Sequence, residues 1–212
     1  THRERCPSCE PSFDAVGATS APGLAGSGSE THVLGTTASA LLAFFHIEVA
    51  SATRPTITVT AGGVSMTELG TVGSYYNTGG YYHYLVAYGL LSPPTGSKSI
   101  AWTSSVSGYA TLNSVSYNNV SAFGSPVTDS SNANGNATVT VPSNNADMVV
   151  AAFASYGTTT FSGFNRTQRY NVSYSAGVNL ATVAGDAAGG GSITVSATGT
   201  TTWAGIGIPL QP

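Results

Sequence analysis

The N-terminal segment THRERCPSCE contains the two cysteines of the chain, Cys6 and Cys9, separated by two residues. This spacing occurs in redox pairs, in disulfides that close a small loop and in zinc sites, for which His2 and Glu10 are the nearby candidate ligands. A thioredoxin-type pair lies between a strand and a helix, and the residues around Cys6 predict neither. The pattern therefore favours a tether, formed as an intrachain disulfide or as a bond to a neighbouring chain, over a metal site or redox catalysis.

His46 and Glu48 are two residues apart in a segment that alternates like a β-strand, so both side chains are expected on the same face. An imidazole and a carboxylate in this arrangement could begin a metal site or an acid–base pair, and His83 could join them from a neighbouring strand. The sequence favours a simpler interpretation, in which these residues form the solvated polar end of an amphipathic strand.

Tyrosines are concentrated in the segment YYNTGGYYHY, residues 75–84, which has a Gly-Gly turn signal in its middle. The pattern predicts a hairpin with aromatic pairs on both strands. Tyrosine rings offer rigid contact area at low entropic cost, which suits stacking on a sugar or packing on another subunit. Alternatively, the inward rings fill the core and the outward rings lie along the sheet. The candidate partner-binding residues are Tyr75, Tyr76, Tyr81, Tyr82 and Tyr84.

The remaining sequence contains no local catalytic signature. The motifs GxSxG, HExxH and GxxxxGK[ST] are missing. The nine carboxylates are scattered, unlike the paired carboxylates of glycosidases. We therefore expect no catalytic residue, no cofactor and no bound metal, and a protein that is not an enzyme.

Composition also narrows the classes of partner. Charged residues make up 7% of the 212 residues, and the six basic residues are not clustered, so nucleic acid is not an expected partner. No apolar run approaches the roughly 20 residues that span a bilayer, so membrane insertion is not expected either. The chain is poor in the Glu, Lys, Arg and Leu residues that build amphipathic helices, which disfavours a helical fold.

The elements that would position these residues are short alternating segments separated by Gly, Pro, Asn and Ser turns. Residues 41–49 and 82–88 alternate, Ala61-Gly62-Gly63 predicts a hairpin turn, and the apolar run 147–155 predicts a central strand covered on both faces. About ten such strands predict an all-β protein, a single antiparallel β-sandwich of the jelly-roll or immunoglobulin-like kind, over residues 13–212. Residues 1–12 are predicted to form an extended arm outside it.

Soluble sandwiches protect exposed strand edges with lysine and other charges, whereas this chain has a single lysine, Lys98. We therefore expect copies of the chain or a larger assembly to cover much of its surface. Alternatively, threonine, asparagine and β-bulges provide the protection.

Six segments lie in order between residues 13 and 212: FDAVGATS, TVTAGGVSMTELG, LLSPPTGS, LNSVSYNNVSAFGSPVT, VTVPSNNADMVVAAFAS and TTWAGIGIPLQP. Together they resemble a β-sandwich domain of tailed-phage structural proteins, commonly labelled minor tail protein, and related sandwiches that decorate capsids. The resemblance implies a virion component assembled in the host cytoplasm, with capsid or tail proteins and copies of itself as partners and no catalytic residues. Its exposed loops and tyrosines would offer weak adhesion, for example to a host-surface glycan.

A carbohydrate-binding or adhesin module of a secreted or surface protein is the competing interpretation, and its location would be extracellular. Sandwich folds serve both functions, so the fold alone does not decide between them. A depolymerase enzyme is disfavoured by the sparse carboxylates.

Overall fold

The computed structural model describes residues 9–76, 80–133, 135–157, 160–175, 178–199 and 201–212. Sixteen β-strands are present, and the described ranges contain no α-helix. The all-β prediction is confirmed, although the strands outnumber the predicted ten. The strands are β1 (Ser12–Val16), β2 (Ser20–Leu34), β3 (Ala38–Val49), β4 (Ile57–Ala61), β5 (Val64–Ser65), β6 (Thr67–Tyr76), β7 (Tyr81–Leu91), β8 (Gly96–Asn118), β9 (Ala122–Phe123), β10 (Val127–Ser131), β11 (Asn136–Ser143), β12 (Met148–Tyr156), β13 (Thr167–Ser175), β14 (Asn179–Ala188), β15 (Gly191–Thr198) and β16 (Trp203–Gln211).

These strands form three antiparallel sheets. The first sheet has the order β5-β4-β8-β3-β7-β6, and β1 and β2 also pair with β8. The second has the order β10-β16-β12-β14-β13, with β9 on β16, and the third consists of β11 and β15. Apolar side chains pack between the first and second sheets and between the second and third. The predicted packing of antiparallel sheets into a sandwich is thus confirmed.

Strand β3 lies at the centre of the first sheet because both of its faces are apolar. Leu41 and Phe45 face one hydrophobic core, and Leu42 and Phe44 face another, which lies against the second sheet. The predicted alternation is therefore present. The prediction that β3 is half-buried is wrong, because the second sheet covers the face that was expected to meet solvent.

Strand β12 is the central strand that the apolar run 147–155 predicted. It pairs with β14 on one side and with β16 on the other. Val150 and Ala152 face the first sheet, whereas Val149 and Phe153 face the third. Both faces are covered, as expected for a continuous apolar run.

The first sheet folds over on itself at a bend in β8 and β2. The N-terminal half of β8 pairs with β4 and its C-terminal half with β3, while β2 follows both halves and shifts register at the bend. Gly108 lies at this bend, where a Cβ atom would be 2.5 Å from the backbone oxygen of Glu48. Side chains from the two halves consequently meet, and the ring centroids of Phe45 and Trp102 are 4.8 Å apart.

Strand β2 has no counterpart among the predicted strands. Its sequence SAPGLAGSGSETHVL is rich in Gly, Ser and Ala, which are not typical strand formers. It is a strand because it pairs with β8 along its length. Its burial alternates near the C-terminal end, where Glu30, His32 and Leu34 are buried while Thr31 and Val33 are exposed.

Strand β1 begins at Ser12, close to the predicted junction between arm and domain, and residues 1–8 lie outside the described ranges. Among the described residues, no helix has the length and apolar character needed to cross a membrane.

Candidate functional site: a tyrosine hairpin, two buried networks and an uncharged sheet face

Strands β6 and β7 form the predicted hairpin, with Tyr75 paired to Tyr82 and Tyr76 paired to Tyr81. The side chain of Tyr81 is 40% exposed, and that of Tyr82 is half-buried. The side chains of Tyr75 and Tyr76 lie outside the described part of the structure. The hairpin is therefore present where the sequence placed it, and its binding of a partner stays a prediction.

Tyr84 has a structural contact of its own. Its ring packs against the core inside the folded first sheet, and its hydroxyl donates a hydrogen bond of 2.7 Å to the carbonyl of Ala52. Burial raises the pKa of this hydroxyl. Tyr81 and Tyr82 are consequently the better placed of the described tyrosines for contact with a partner.

The N-terminal cysteine motif falls mostly outside the described residues, which include neither His2 nor Cys6. Cys9 is exposed. The carbonyl of Glu10 accepts a hydrogen bond of 3.1 Å from Asn119 Nδ2, which holds the end of the arm near the end of β8. The predicted tether through Cys6 and Cys9 stays a prediction.

His46, Glu48 and His83 are brought together, but they do not form a solvated end of a strand. Glu48 pairs with His83 across β3 and β7, and the exposed fraction of all three residues is 2% or less. His83 Nδ1 is 3.3 Å from His46 Nε2, and His83 Nε2 is 3.4 Å from Glu48 Oε2. The expectation of solvation is wrong, because this face of β3 is turned toward the second sheet, where Tyr156 stacks 4.9 Å from the His83 ring.

This first network is a line of three groups and not a converging set of ligands. His83 lies in the middle and directs its two ring nitrogens to different partners, so Glu48 and His46 do not share a common centre. Burial lowers the pKa of His83 to about 4 and that of His46 well below its ordinary value, and raises the pKa of Glu48 to about 7. No group of three or more metal-binding side chains exists among the described residues. Burial therefore favours the neutral form of all three groups, and a hydrogen-bond contact joins the two histidines.

A second buried network lies between β1, β2 and β8. His32 Nδ1 is 2.6 Å from Ser114 Oγ, and His32 Nε2 is 2.9 Å from Ser116 Oγ. Ser114 contacts Glu30 Oε1, and Ser116 Oγ donates to Asp14 Oδ2 at 2.7 Å. The result is a continuous chain of four contacts from Glu30 to Asp14.

Burial dominates the electrostatics of this second network. It raises the pKa of Glu30 to about 8, against a smaller lowering by the Ser114 hydroxyl. It lowers the pKa of His32 to about 4, against a smaller raising by Asp14. The sequence interpretation missed these residues because β2 was missed. The alternation of Glu30, His32 and Leu34 was the available signal.

Among the described residues, neither network contributes a side chain to the lining of a surface depression. This shallow depression of about 390 Å³ lies at the ends of the second and third sheets, and Asp147 is the one carboxylate in its lining. The Asp147 carboxylate accepts a hydrogen bond of 2.7 Å from the backbone N–H of Asn144, so it stabilises a turn. The networks and the depression involve different residues.

The outward side of the folded first sheet differs from its interior, which encloses a hydrophobic core and the second buried network. Glu30, His32, Ile100 and Trp102 point inward, so the alternate residues of β2 and β8 point outward. On β4, Ile57 and Val59 likewise point inward and Thr58 points outward. We call this surface the outer face; the residues that define it are Ser29, Thr31, Val33, Thr58, Ser97, Ser99 and Thr103, none of them charged.

Strand β1 extends the outer face. Val16 and Val33 are 42% and 63% exposed. Two hydrogen bonds indicate that these valines lie opposite one another: Ala18 N to Thr31 O at 2.9 Å, and Gly35 N to Asp14 Oδ2 at 3.0 Å.

Lys98 does not protect this surface, although it lies on β8 between Ser97 and Ser99. It alternates with those residues, and its Cδ atom lies 3.0 Å from where a Cβ atom of Gly62 would be. The lysine therefore packs on the turn between β4 and β5.

The pKa shifts of the two networks predict a stability optimum near pH 6.5. Below this pH the unfolded chain protonates His32, His46 and His83, which the folded chain keeps neutral, so acid lowers stability. Between pH 4.5 and 6.5 the folded chain retains protons on Glu30 and Glu48 that the unfolded chain has lost. These two protons offset two of the three that the histidines bind in the unfolded chain, so a net loss of stability in acid remains. Above pH 6.5 only the glutamate effect remains, so stability falls as the pH rises through about 7 and then about 8.

Thermal unfolding followed by circular dichroism between pH 4.5 and 8.5 should therefore give the highest Tm near pH 6.5. A Tm that rises steadily to pH 8.5 would contradict the protonation states described for the networks.

The geometry thus offers two surfaces for contact, the tyrosine hairpin and the outer face, and two networks that are closed to solvent. Comparison with protein-family models, with curated proteins and with solved structures finds no match to this chain.

Proposed function

We propose that the chain is a non-enzymatic structural protein of a tailed-phage virion, a minor tail or capsid decoration component, that packs on the particle through its outer face. The observation that carries this proposal is the uncharged outer face, with two exposed valines opposite one another at Val16 and Val33. An exposed sheet surface without lysine or other charge is poorly protected against association.

The distribution of ionisable groups supports the same function. Glu30, His32, His46, Glu48 and His83 are all buried in the two networks, and none of them lines the surface depression. Ionisable groups placed in this way stabilise a rigid block and do not face a substrate. A block of this kind adds contact area to a shell or tube, and many copies multiply a weak contact.

Particle composition tests the proposal. Gradient-purified particles of the encoding phage should contain the chain at a fixed copy number, measured by quantitative mass spectrometry. Because the outer face carries no charge, the chain should remain bound after a wash in about 1 M salt, where ion pairs are screened. Absence of the chain from the particles, or its release by salt, would contradict the proposal.

A lysine on the outer face should weaken this association. Thr103 is exposed and hydrogen-bonds through its hydroxyl to Thr58 at 2.6 Å. We expect Thr103→Lys to lower the affinity for particles stripped of the chain at least tenfold, because a desolvated, unpaired charge in an interface costs about 1–3 kcal/mol or more. Co-sedimentation with stripped particles measures this.

The third sheet provides a matched control. Thr140 is an exposed threonine whose hydroxyl lies 2.9 Å from that of Thr194 on the neighbouring strand. Thr140→Lys should leave particle binding unchanged. Equal loss of binding in both variants would show that the outer face is not the surface that binds the particle.

The tyrosine hairpin supports a second candidate, a carbohydrate-binding or adhesin module. The cross-strand pair of Tyr76 and Tyr81 places Tyr81, 40% exposed, near the end of the hairpin, where its ring could stack on a sugar. A glycan array probed with the purified chain tests this candidate. Specific glycan binding without particle association would favour it over a virion component.

If the hairpin binds a glycan, Tyr81→Ser should reduce the affinity about tenfold, because the stacking surface is lost. Tyr81→Phe keeps the ring and should retain most of the affinity. Equal affinity of both variants and the wild type, measured by calorimetry on an array hit, would remove the hairpin from the candidate site.

A further inference from the structure

The second buried network connects side chains of three strands, in addition to the backbone pairing of β1 and β2 with β8. Asp14 belongs to β1, Glu30 and His32 to β2, and Ser114 and Ser116 to β8. We propose that this network is a proton-loaded latch: it holds β1 and the C-terminal part of β2 against β8 while it contains four bridging hydrogens, and it weakens when the fourth is lost. The proposal is independent of the proposed function.

The number of hydrogens follows from the contacts. The chain of residues makes four consecutive polar contacts, and each of them needs one hydrogen to be a hydrogen bond. The two serine hydroxyls supply two hydrogens, and a neutral imidazole supplies a third. The fourth must be an additional proton, carried either by a carboxyl group or by the imidazole.

The Asp14 end of the chain sets the direction of the bonds. Asp14 Oδ2 accepts a hydrogen bond of 3.0 Å from the backbone N–H of Gly35 and one of 2.7 Å from Ser116 Oγ. An oxygen that accepts two hydrogen bonds carries no proton of its own, so Asp14 supplies none of the bridging hydrogens. Since Ser116 gives its hydrogen to Asp14, it must accept at its other contact, and His32 Nε2 is therefore the protonated ring nitrogen.

The additional proton belongs to the opposite end of the chain of contacts, at Glu30. With its hydrogen on Nε2, a neutral His32 accepts at Nδ1 from the hydroxyl of Ser114. Ser114 can give its one hydrogen to Glu30 Oε1 or to His32 Nδ1, but not to both. While it donates to the neutral His32, its contact with Glu30 is a hydrogen bond only when the Glu30 carboxyl is the donor. Glu30 is thus the neutral acid of the latch.

The alternative assignment places the additional proton on His32 and leaves Glu30 ionised. This would bury two opposite charges, on a histidine that is fully enclosed and a glutamate that is 5% exposed. The directions of both pKa shifts favour the neutral pair, because burial raises the pKa of Glu30 and lowers that of His32.

Few other groups can exchange protons with the latch. Tyr170 and Tyr174 on β13 feel the charge of Glu30, and burial raises the pKa of both above the ordinary value of 10.0. Lys98 pairs with His32 across the strands, but its side chain packs at the Gly62 turn. The two tyrosines keep their protons between pH 6.5 and 8, so Glu30 is the group of the latch that titrates there.

Opening of the latch should therefore depend on pH in a defined window. When the latch opens, Glu30 regains an ordinary pKa and releases its proton, so each pH unit up to about 8 favours opening tenfold. Below pH 6.5, protonation of the released His32 cancels this effect. Because Glu30 is half-ionised near pH 8 and the released His32 is half-protonated at pH 6.5, opening should increase about tenfold from pH 6.5 to 8 and then level off.

Hydrogen–deuterium exchange, corrected for the intrinsic rate, measures this opening. In the wild type, amide protection in peptides from residues 12–34 should fall about tenfold between pH 6.5 and 8. Glu30→Gln, whose amide donates to Ser114 at every pH, should keep constant protection over this range. Glu48→Gln alters the other buried network and should show the wild-type decrease.

Infrared spectroscopy supplies a second readout. Because Glu48 is also protonated at pH 6.5, the measurement is made on Glu48→Gln, where the remaining band of a protonated carboxyl group should disappear with a midpoint near pH 8. Protection that does not change with pH in the wild type, an equal decrease in Glu30→Gln, or the absence of this band from Glu48→Gln at pH 6.5 would each overturn the latch. If Glu30→Gln does not fold, wild-type exchange and the Glu48→Gln spectra decide.

Discussion

Replacing Phe45 with alanine should lower the free energy of unfolding by about 3–5 kcal/mol, the usual cost of removing a buried phenylalanine. Phe45 is fully buried on β3 and stacks at 4.8 Å on Trp102, which is 1% exposed and lies on the other half of the folded sheet. The contact therefore closes the first sheet on itself. Trp102 points inward from β8, and the alternate residues of β8 belong to the outer face. Phe45→Ala should therefore also weaken particle binding.

Chemical denaturation monitored by tryptophan fluorescence measures this change. The control is Phe123→Ala, since Phe123 lies on the two-residue strand β9 and is only half-buried. Its substitution should cost clearly less. A cost for Phe45→Ala of under about 1.5 kcal/mol would show that the fold does not depend on this closure.

Replacing Arg169 with alanine should lower the free energy of unfolding by about 3 kcal/mol, because it leaves a buried carboxylate without its cation. Arg169 on β13 contacts both oxygens of Asp186, at 2.6 and 2.9 Å, and the Asp186 side chain is 3% exposed. The same carboxylate accepts a hydrogen bond of 2.8 Å from Tyr117 on β8, so the group connects the first and second sheets. The guanidinium also stacks 3.8 Å from the ring of Phe13.

The exposed ion pair of Arg54 and Glu68 provides the matched control. Its closest contact is 3.1 Å, and the two side chains are 30% and 34% exposed. Arg54→Ala should cost under about 1 kcal/mol, as expected for a solvated pair. Equal costs for the two arginine variants would mean that burial of Asp186 does not determine the strength of its ion pair.

Local sequence patterns predicted the elements that carry their own signal. The alternation in β3, the continuous apolar run in β12 and the tyrosine hairpin at residues 75–84 are all present in the structure. The approach of His83 to His46 and Glu48 was an alternative that the sequence left open beside the favoured solvated strand end, because cross-strand neighbours follow from strand order. These features depend on contacts within or between adjacent strands.

Features that depend on how the sheets pack on one another, or on pairing between distant strands, could not be predicted from local patterns. Nothing near Glu48 in the sequence indicates that a second sheet would cover it, so a polar strand end was expected to be solvated. Strand β2 was missed because Gly, Ser and Ala supply little strand propensity, and its partner β8 lies more than sixty residues further along the chain. The network of Glu30, His32 and Ser114 was missed with it.

The account rests on the claim that the outer face is the surface held in an assembly. A cryo-electron microscopy reconstruction of the phage particle tests this claim most directly. We expect density for the three-sheet block with Thr31, Val33 and Thr103 turned toward a neighbouring subunit and the tyrosine hairpin turned away from it. Density in which these three residues face solvent, or a particle without the block, would contradict the account.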